Sequence, residues 1–183
     1  MAASLILVTG PARSGKSEWA ETLAAHSGKS VTYVATAQTN DTDLEWQARI
    51  ERHRQRRPSN WQTEHVPVNL GNLLLSTPDS TCLLVDSLGT WLANVLDQDD
   101  ATWTMTQNTF ISAIQQTSSM VILVAEETGW GVVPAYPIGR TFRDRLGTLT
   151  RHIGSIADQT YLVTAGHILN LTQLGTPLPP QTE

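Results

Sequence analysis

The sequence predicts an α/β fold in which a mainly parallel sheet is covered by helices on both faces, and three observations predict it. Apolar, strand-like runs alternate with helix-like segments along the whole chain. One such run leads directly into Gly10-Pro11-Ala12-Arg13-Ser14-Gly15-Lys16-Ser17, a complete G-x-x-x-x-G-K-[ST] phosphate loop, which opens in turn into a helix pattern. A later run, Leu83-Leu84-Val85-Asp86, delivers a carboxylate to a strand end. Together these specify a three-layer P-loop NTPase.

The elements follow in order. Leu5-Ile6-Leu7-Val8-Thr9 reads as a buried strand, and the segment 16–26 after the loop as a helix. A strand over 31–36 precedes a helix expected over 41–56 and a short strand near 62–66. A strand over 81–86 is followed by helices over 87–97 and 104–117, a strand over 120–125, a helix over 139–156, a strand over 160–164 and a short piece near 167–171. There is no internal repeat. Residues 1–174 are expected to form one catalytic domain, and the polar, proline-rich stretch 175–183 a mobile tail.

A chain of 183 residues can bury a sizeable core, and 40% hydrophobic residues exclude intrinsic disorder. A net charge of −5 argues against a general nucleic-acid binder, whose phosphate contacts demand a basic surface. No run approaches the ~18 apolar residues of a membrane span, and no signal peptide is read at the N-terminus, so a cytoplasmic location is expected. Cys82, inside the apolar run Thr81-Cys82-Leu83-Leu84-Val85, reads as a small buried hydrophobe rather than a nucleophile.

The loop carries its own chemistry. Backbone N–H groups from Arg13 to Ser17 can converge on phosphate oxygens, and the helix N-terminus adds partial positive charge. Lys16 reaches the β and γ phosphates, while the Ser17 hydroxyl is a ligand for Mg²⁺. Lys16 is one of only two lysines in the chain, so its position is no by-product of lysine abundance. Pro11 lacks an N–H but stands on the loop's entry side. Asp86 faces the magnesium shell, directly or through water, once the loop upstream is taken into account.

Five of the ten arginines fall in Arg49-Ile50-Glu51-Arg52-His53-Arg54-Gln55-Arg56-Arg57. On a helix starting near Asp41, Trp46, Ile50 and His53 share one stripe, with Arg49 and Arg57 four residues either side of His53. Nearby guanidinium groups disfavour imidazolium, which leaves His53 a free lone pair and makes it a candidate nucleophile toward phosphorus. The same residues also read as a solvated basic helix whose histidine only packs. The residues alone leave both readings open.

Taken as an ordered set, these segments resemble the family of bifunctional adenosylcobinamide kinases and adenosylcobinamide-phosphate guanylyltransferases. The set comprises Ala12-Arg13-Ser14-Gly15-Lys16-Ser17, Tyr33-Val34-Ala35-Thr36-Ala37, Arg49-Ile50 with His53-Arg54 and Arg57-Pro58, and Trp61 with Thr63. It continues with Leu84-Val85-Asp86, Trp91-Leu92-Ala93-Asn94, Glu127, Gly129-Trp130-Gly131-Val132-Val133-Pro134 and Phe142-Arg143-Asp144. The resemblance implies a RecA-like sheet and two activities in cobalamin assembly. In the first, ATP or GTP phosphorylates the aminopropanol hydroxyl of adenosylcobinamide. In the second, a histidine takes GMP from GTP, releasing pyrophosphate, and passes it to cobinamide phosphate to give adenosyl-GDP-cobinamide. His53 matches the guanylylated histidine, and nucleotide contacts extend to Thr36, Ala37, Gln38, Arg54, Arg57, Glu64 and His65. Mg²⁺ as cofactor and a homo-oligomer, a trimer, are implied as well. Three departures stand out: Pro11 replaces a glycine, Glu64 is displaced by one residue with His65 in its place, and Glu126-Glu127 replaces an Asn-Glu pair, adding a carboxylate near the metal.

The segment Glu126-Glu127-Thr128-Gly129-Trp130-Gly131 follows a strand and so belongs at the ligand-bearing edge. Glu127 is a candidate to orient the attacking hydroxyl, and Gly129, Trp130 and Gly131 form either a substrate loop against the corrin or a plain connection with a packed tryptophan. Arg140, Arg143, Arg145 and Arg151 read as a solvated helix face with one or two turned inward. His26, His152 and His167 have no metal-ligand spacing. Two rival functions are a kinase in which His53 only binds phosphate and a guanine-nucleotide switch, since Asp86-Ser87-Leu88-Gly89 is an Asp-x-x-Gly. The switch ranks low because no Asn-Lys-x-Asp base reader follows.

Overall fold

The computed structural model describes residues 4–38 and 57–178. Seven strands form one sheet: β1 (Leu5–Gly10), β2 (Ser30–Ala35), β3 (Gln62–His65), β4 (Thr81–Asp86), β5 (Met120–Glu126), β6 (Gln159–Thr164) and β7 (His167–Asn170). Their order across the sheet is β3-β2-β4-β5-β1-β6-β7, parallel except for β7, which returns antiparallel to β6. The helices are α1 (Lys16–Ala25), α2 (Leu70–Ser76), α3 (Leu88–Asn94), α4 (Asp100–Gln116), α5 (Pro137–Ile156) and α6 (Leu171–Leu174). β5 stands between loop-bearing β1 and Asp86-bearing β4, so the fold is the P-loop NTPase fold with a RecA-like strand order.

Continuous apolar strands are what a sheet covered on both faces requires, and the side chains divide by period two. Leu5 and Leu7, Leu83 and Val85, and Val121, Leu123 and Ala125 face one layer, where they pack with residues of α2, α3, α4 and α5. Ile6 and Val8, Cys82 and Leu84, and Ile122 and Val124 face the other, where Ala20 and Ala24 of α1 meet them with Tyr33 and Val163. In the first layer Trp91 packs on Phe110, with ring centroids 4.9 Å apart, and on Trp103 at 6.0 Å. Cys82 is fully buried, and that burial pushes its thiol up to about 11, in keeping with an inert hydrophobe.

Polar caps set several boundaries. α4 starts four residues earlier than its apolar pattern predicts because the Asp99 carboxylate accepts from Thr102 N at 2.8 Å. α2 is absent from the sequence-based reading: Gly71 and Asn72 are poor helix formers, and burial of Leu70 and Leu74 overrides that propensity. Of the four α5 arginines, expected on a solvated face with one or two turned inward, Arg145 is turned inward: it is buried and donates to the carbonyls of Leu96 and Gln98 and to Asp100. It ties α5 to the turn before α4. The helix expected over 41–56 lies outside the described residues, as does most of the expected tail; residues 175–178 are exposed.

Removing the Phe110 ring should open a cavity beneath Trp91. Phe110→Ala is expected to cost about 3–5 kcal/mol in urea denaturation, and a loss below about 1 kcal/mol would contradict this account of the core.

Candidate active site

Parallel strands bring their C-terminal ends to one edge of the sheet, and the sequence has placed its chemistry there. In register, Gly10 lies opposite Glu126 and Asp86 opposite Val124, so the loop, the Asp86 carboxylate and the Glu126-Glu127 pair share that edge.

The loop's shape follows from its residues. An added Cβ at Gly10 would sit inside contact distance of the Val163 carbonyl oxygen and Ser14 Oγ, so only glycine lets the loop leave β1 against the backbone of β6. Arg13 and Gly15 have φ of 59° and 93°, left-handed conformations that turn the chain back on itself before α1. Ser14 N donates to Pro11 O at 3.3 Å and Lys16 Nζ donates to the same carbonyl at 3.4 Å, folding the lysine over its own loop. Pro11 thus serves as an acceptor, for which its missing N–H is immaterial. Lys16 is 7% exposed. Among the described residues, Ser14 Oγ is buried without a hydrogen-bond partner, an orphan that a phosphate oxygen would satisfy. Ala12 and Arg13 are exposed at the loop's crown.

Glu127 is fixed beside the loop. Its N–H donates to Gly10 O at 2.9 Å, and its carboxylate accepts from Thr9 Oγ1 at 3.0 Å. Glu126, at the same edge, has both carboxylate oxygens engaged: they accept from the Ser87 hydroxyl and from Gly89 N (2.9 Å), so the charge also neutralises the N-terminus of α3. The Gly89 amide that an Asp-x-x-Gly switch offers to a γ-phosphate is occupied by this protein carboxylate.

Thr36 is likewise consumed by the protein. It is fully buried, donates to Ser87 O at 2.8 Å and accepts from Ser87 N at 3.0 Å, while Asn94 Nδ2 donates to the Thr36 and Pro67 carbonyls. These bonds lock the end of β2 to the end of β4, and leave the half-buried Ala37 and the exposed Gln38 as the accessible continuation.

Asp86 accepts from Tyr33 Oη at 3.1 Å. Burial, then the Asp86 charge, hold the Tyr33 phenol well above its ordinary range, so it is a permanent donor. Arg57 lies 3.8 Å over the same tyrosine ring and donates to Thr63 Oγ1 at 3.0 Å. Glu64 and His65 are exposed on edge strand β3, opposite Val34 and Ala35. His53 and Arg54, with Arg49, lie outside the described residues.

The donor set suits Mg²⁺. Ser17 and Asp86 supply a hydroxyl and a carboxylate, hard oxygen ligands, and among the described residues no group of three or more His, Cys, Asp or Glu could hold a metal alone. A cation shared between this pair and nucleotide phosphates is the arrangement such a site can support.

Beyond Glu127 the chain runs exposed, with Trp130 62%, Val132 95%, Val133 60% and Tyr136 77% accessible. The alternative of a packed tryptophan is therefore not what is found. Arg143 donates to Gly129 O, and Arg140 to Pro134 O and Ala135 O, so two arginines expected on a solvated face hold this apolar loop from α5.

The family model for cobinamide kinase / cobinamide phosphate guanyltransferase matches residues 6–171. The chain belongs to this family. A bifunctional adenosylcobalamin biosynthesis protein of Pseudomonas aeruginosa is 39% identical over 174 residues, covering 94% of this chain and 98% of the relative. Another, from Escherichia coli, is 36% identical over 178 residues, covering 88% and 96%. Solved structures agree on the fold. A Pyrococcus horikoshii protein superposes with a TM-score of 0.58 at 8% identity, over 93% of this chain and 86% of its own. An ATPase of the type III secretion system of pathogenic bacteria does so with 0.57 at 11% identity, over 94% and 53%. No helix among the described residues is long and apolar enough to cross a membrane.

If the close approach at Gly10 shapes the cradle, Gly10→Ala should weaken binding of a fluorescent GTP analogue by about tenfold or more while circular dichroism stays native. Unchanged affinity would contradict the role given to Gly10.

Proposed function

We propose that this enzyme phosphorylates adenosylcobinamide with ATP or GTP and then transfers GMP from GTP to the product through a guanylyl-histidine at His53. The observation that carries the reading is the union, at one sheet edge, of a complete phosphate loop, Asp86 and Glu127 in a chain that matches the family from residue 6 to residue 171.

In the kinase step, Lys16 and the amides of residues 13–17 hold the β and γ phosphates, and Ser17 with Asp86 would hold Mg²⁺. The cation supplies charge neutralisation on the transferring phosphoryl group. Glu127, fixed by Thr9 and Gly10, orients the attacking hydroxyl of the aminopropanol arm. In the transfer step a His53 ring nitrogen attacks the α-phosphorus of GTP, a P–N bond forms and the bond to pyrophosphate breaks. An oxygen of cobinamide phosphate then attacks the same phosphorus, releasing His53 and giving adenosyl-GDP-cobinamide. Arg54 and Arg57 compensate charge on the triphosphate, with Glu64, His65, Ala37 and Gln38 as further nucleotide contacts at the β2–β3 side. The exposed Trp130-Tyr136 segment supplies a face for the corrin, with Gly129 and Gly131 allowing close approach. A homo-oligomer, a trimer, and a cytoplasmic location complete the proposal.

With GTP labelled at the α-phosphate, wild type should retain an acid-labile, alkali-stable label that His53→Ala loses, while the variant still phosphorylates adenosylcobinamide. Label on the variant would move the nucleophile elsewhere, with His65 the first candidate; no label on either protein, with kinase turnover intact, would leave a kinase alone. Trp130→Ala should raise the KM for adenosylcobinamide about fivefold or more with KM for nucleotide unchanged, as loss of one aromatic contact worth about 1 kcal/mol implies. Equal KM values would remove the loop from the substrate site.

A further inference from the structure

Tyr33 is a β-strand residue to which neither the phosphate-loop chemistry nor the arginine-histidine cluster assigned a task. It is 5% exposed, on the sheet face that α1 covers, and its two polar relationships point in different directions. Its hydroxyl donates to Asp86 Oδ2 at 3.1 Å, at the end of β4 where the cation-facing carboxylate sits. Its ring carries the Arg57 guanidinium at 3.8 Å. That guanidinium is also held from the side by Thr63 of β3, directly opposite Tyr33 in the β2–β3 register. Arg57 is followed by a turn, in which Trp61 N donates to Pro58 O at 3.1 Å, and Trp61 packs against the same core layer as Tyr33. One side chain therefore touches the carboxylate of the kinase half at one end and, along its ring, the arginine four residues beyond His53.

We propose that Tyr33 is a positioning residue serving both halves of the site: its hydroxyl orients Asp86 toward the Mg²⁺-nucleotide, and its ring seats Arg57 against Thr63 of β3, fixing a guanidinium at the β2–β3 side of the site. The proposal rests on the functional reading above for what the two ends do. Its physical basis is independent of that reading. A carboxylate that accepts from a buried, immobile phenol has its rotation about the Cβ–Cγ bond restricted, so one oxygen is committed to Tyr33 and the other faces a fixed direction. A guanidinium laid on an aromatic face and hydrogen-bonded at its edge has lost most of its rotamer freedom, which converts a long flexible side chain into a fixed attachment point. Phenylalanine at this position keeps the seat and loses the donor; leucine loses both. The two contacts can therefore be separated.

The test compares wild type, Tyr33→Phe and Tyr33→Leu in two assays. In the first, binding of a fluorescent GTP analogue is titrated with MgCl₂ and read as the Mg²⁺ concentration at half-saturation. Both variants should need about three to ten times more Mg²⁺ than wild type, the range that the net worth of one typical hydrogen bond implies. In the second, amide hydrogen exchange is followed over residues 57–66. Tyr33→Phe should match wild type there, and Tyr33→Leu should exchange faster, with the strands β1 and β5 protected as in wild type, which separates release of Arg57 from general unfolding. At saturating Mg²⁺ the α-phosphate label from GTP should survive in Tyr33→Phe and fall in Tyr33→Leu. A Mg²⁺ midpoint within twofold of wild type in Tyr33→Phe would overturn the link to Asp86. Exchange over 57–66 unchanged in Tyr33→Leu would overturn the seat for Arg57. If wild type itself took up no label, the guanylyl-transfer reading would fall, while the Mg²⁺ and exchange results would still decide for or against Tyr33.

Discussion

The site depends first on the parallel hydrogen-bonded register of β4, β5 and β1. Because those three strands run the same way, Asp86, Glu126 and Gly10 finish at one edge, and each is followed by the segment that carries chemistry or its support. A slip of one residue would send every side chain of the strand to the opposite layer, exchanging Leu7 for Val8 and Leu83 for Leu84. Burial on both faces makes that slip costly, so the apolar core and the placement of the catalytic edge are one constraint.

Around that edge the protein spends its own polar groups on holding backbone. Thr36, Ser87, Glu126 and Asn94 bond to each other or to main chain and close the ends of β2 and β4 over α3. Thr9 and Gly10 do the same for Glu127. What is left exposed or unsatisfied is then informative. Ser14 Oγ is an orphan in the middle of the loop, and the apolar stretch from Trp130 to Tyr136 is held out in solvent by Arg140 and Arg143. The first fits a phosphate and the second a large amphipathic ligand face.

Much of this was legible in the sequence for identifiable reasons. The phosphate loop is read from spacing, because the geometry of the cradle leaves few residue choices, and the buried strands β1, β2, β4 and β5 are visible as largely apolar runs, whereas edge strand β3, polar and exposed at all four positions, carries no such pattern. Residues whose role is set by a partner distant in sequence were not legible. The sequence lets one or two α5 arginines turn inward without saying which, and Leu96, Gln98 and Asp100 select Arg145; that the Glu126 carboxylate is held by the α3 N-terminus has no sequence signal at all. Thr36 was read as a nucleotide contact, and its hydroxyl is engaged by Ser87 across 51 residues of chain. Tyr33 stands in the sequence only as part of a matching segment; its signal, a phenol in a buried strand, gains meaning only when Asp86 and Arg57 lie on either side of it. Local chemistry is written locally, and long-range hydrogen bonds are not.

The most direct measurement of the central claim is a crystal structure of the protein with a non-hydrolysable GTP analogue and Mg²⁺. The account requires phosphate oxygens on the amides of residues 13–17, Lys16 Nζ moved from Pro11 O to phosphate, and Ser14 Oγ satisfied, with the cation between Ser17 and the Asp86 side of the site. A nucleotide bound elsewhere, with Lys16 still folded on Pro11, would contradict it.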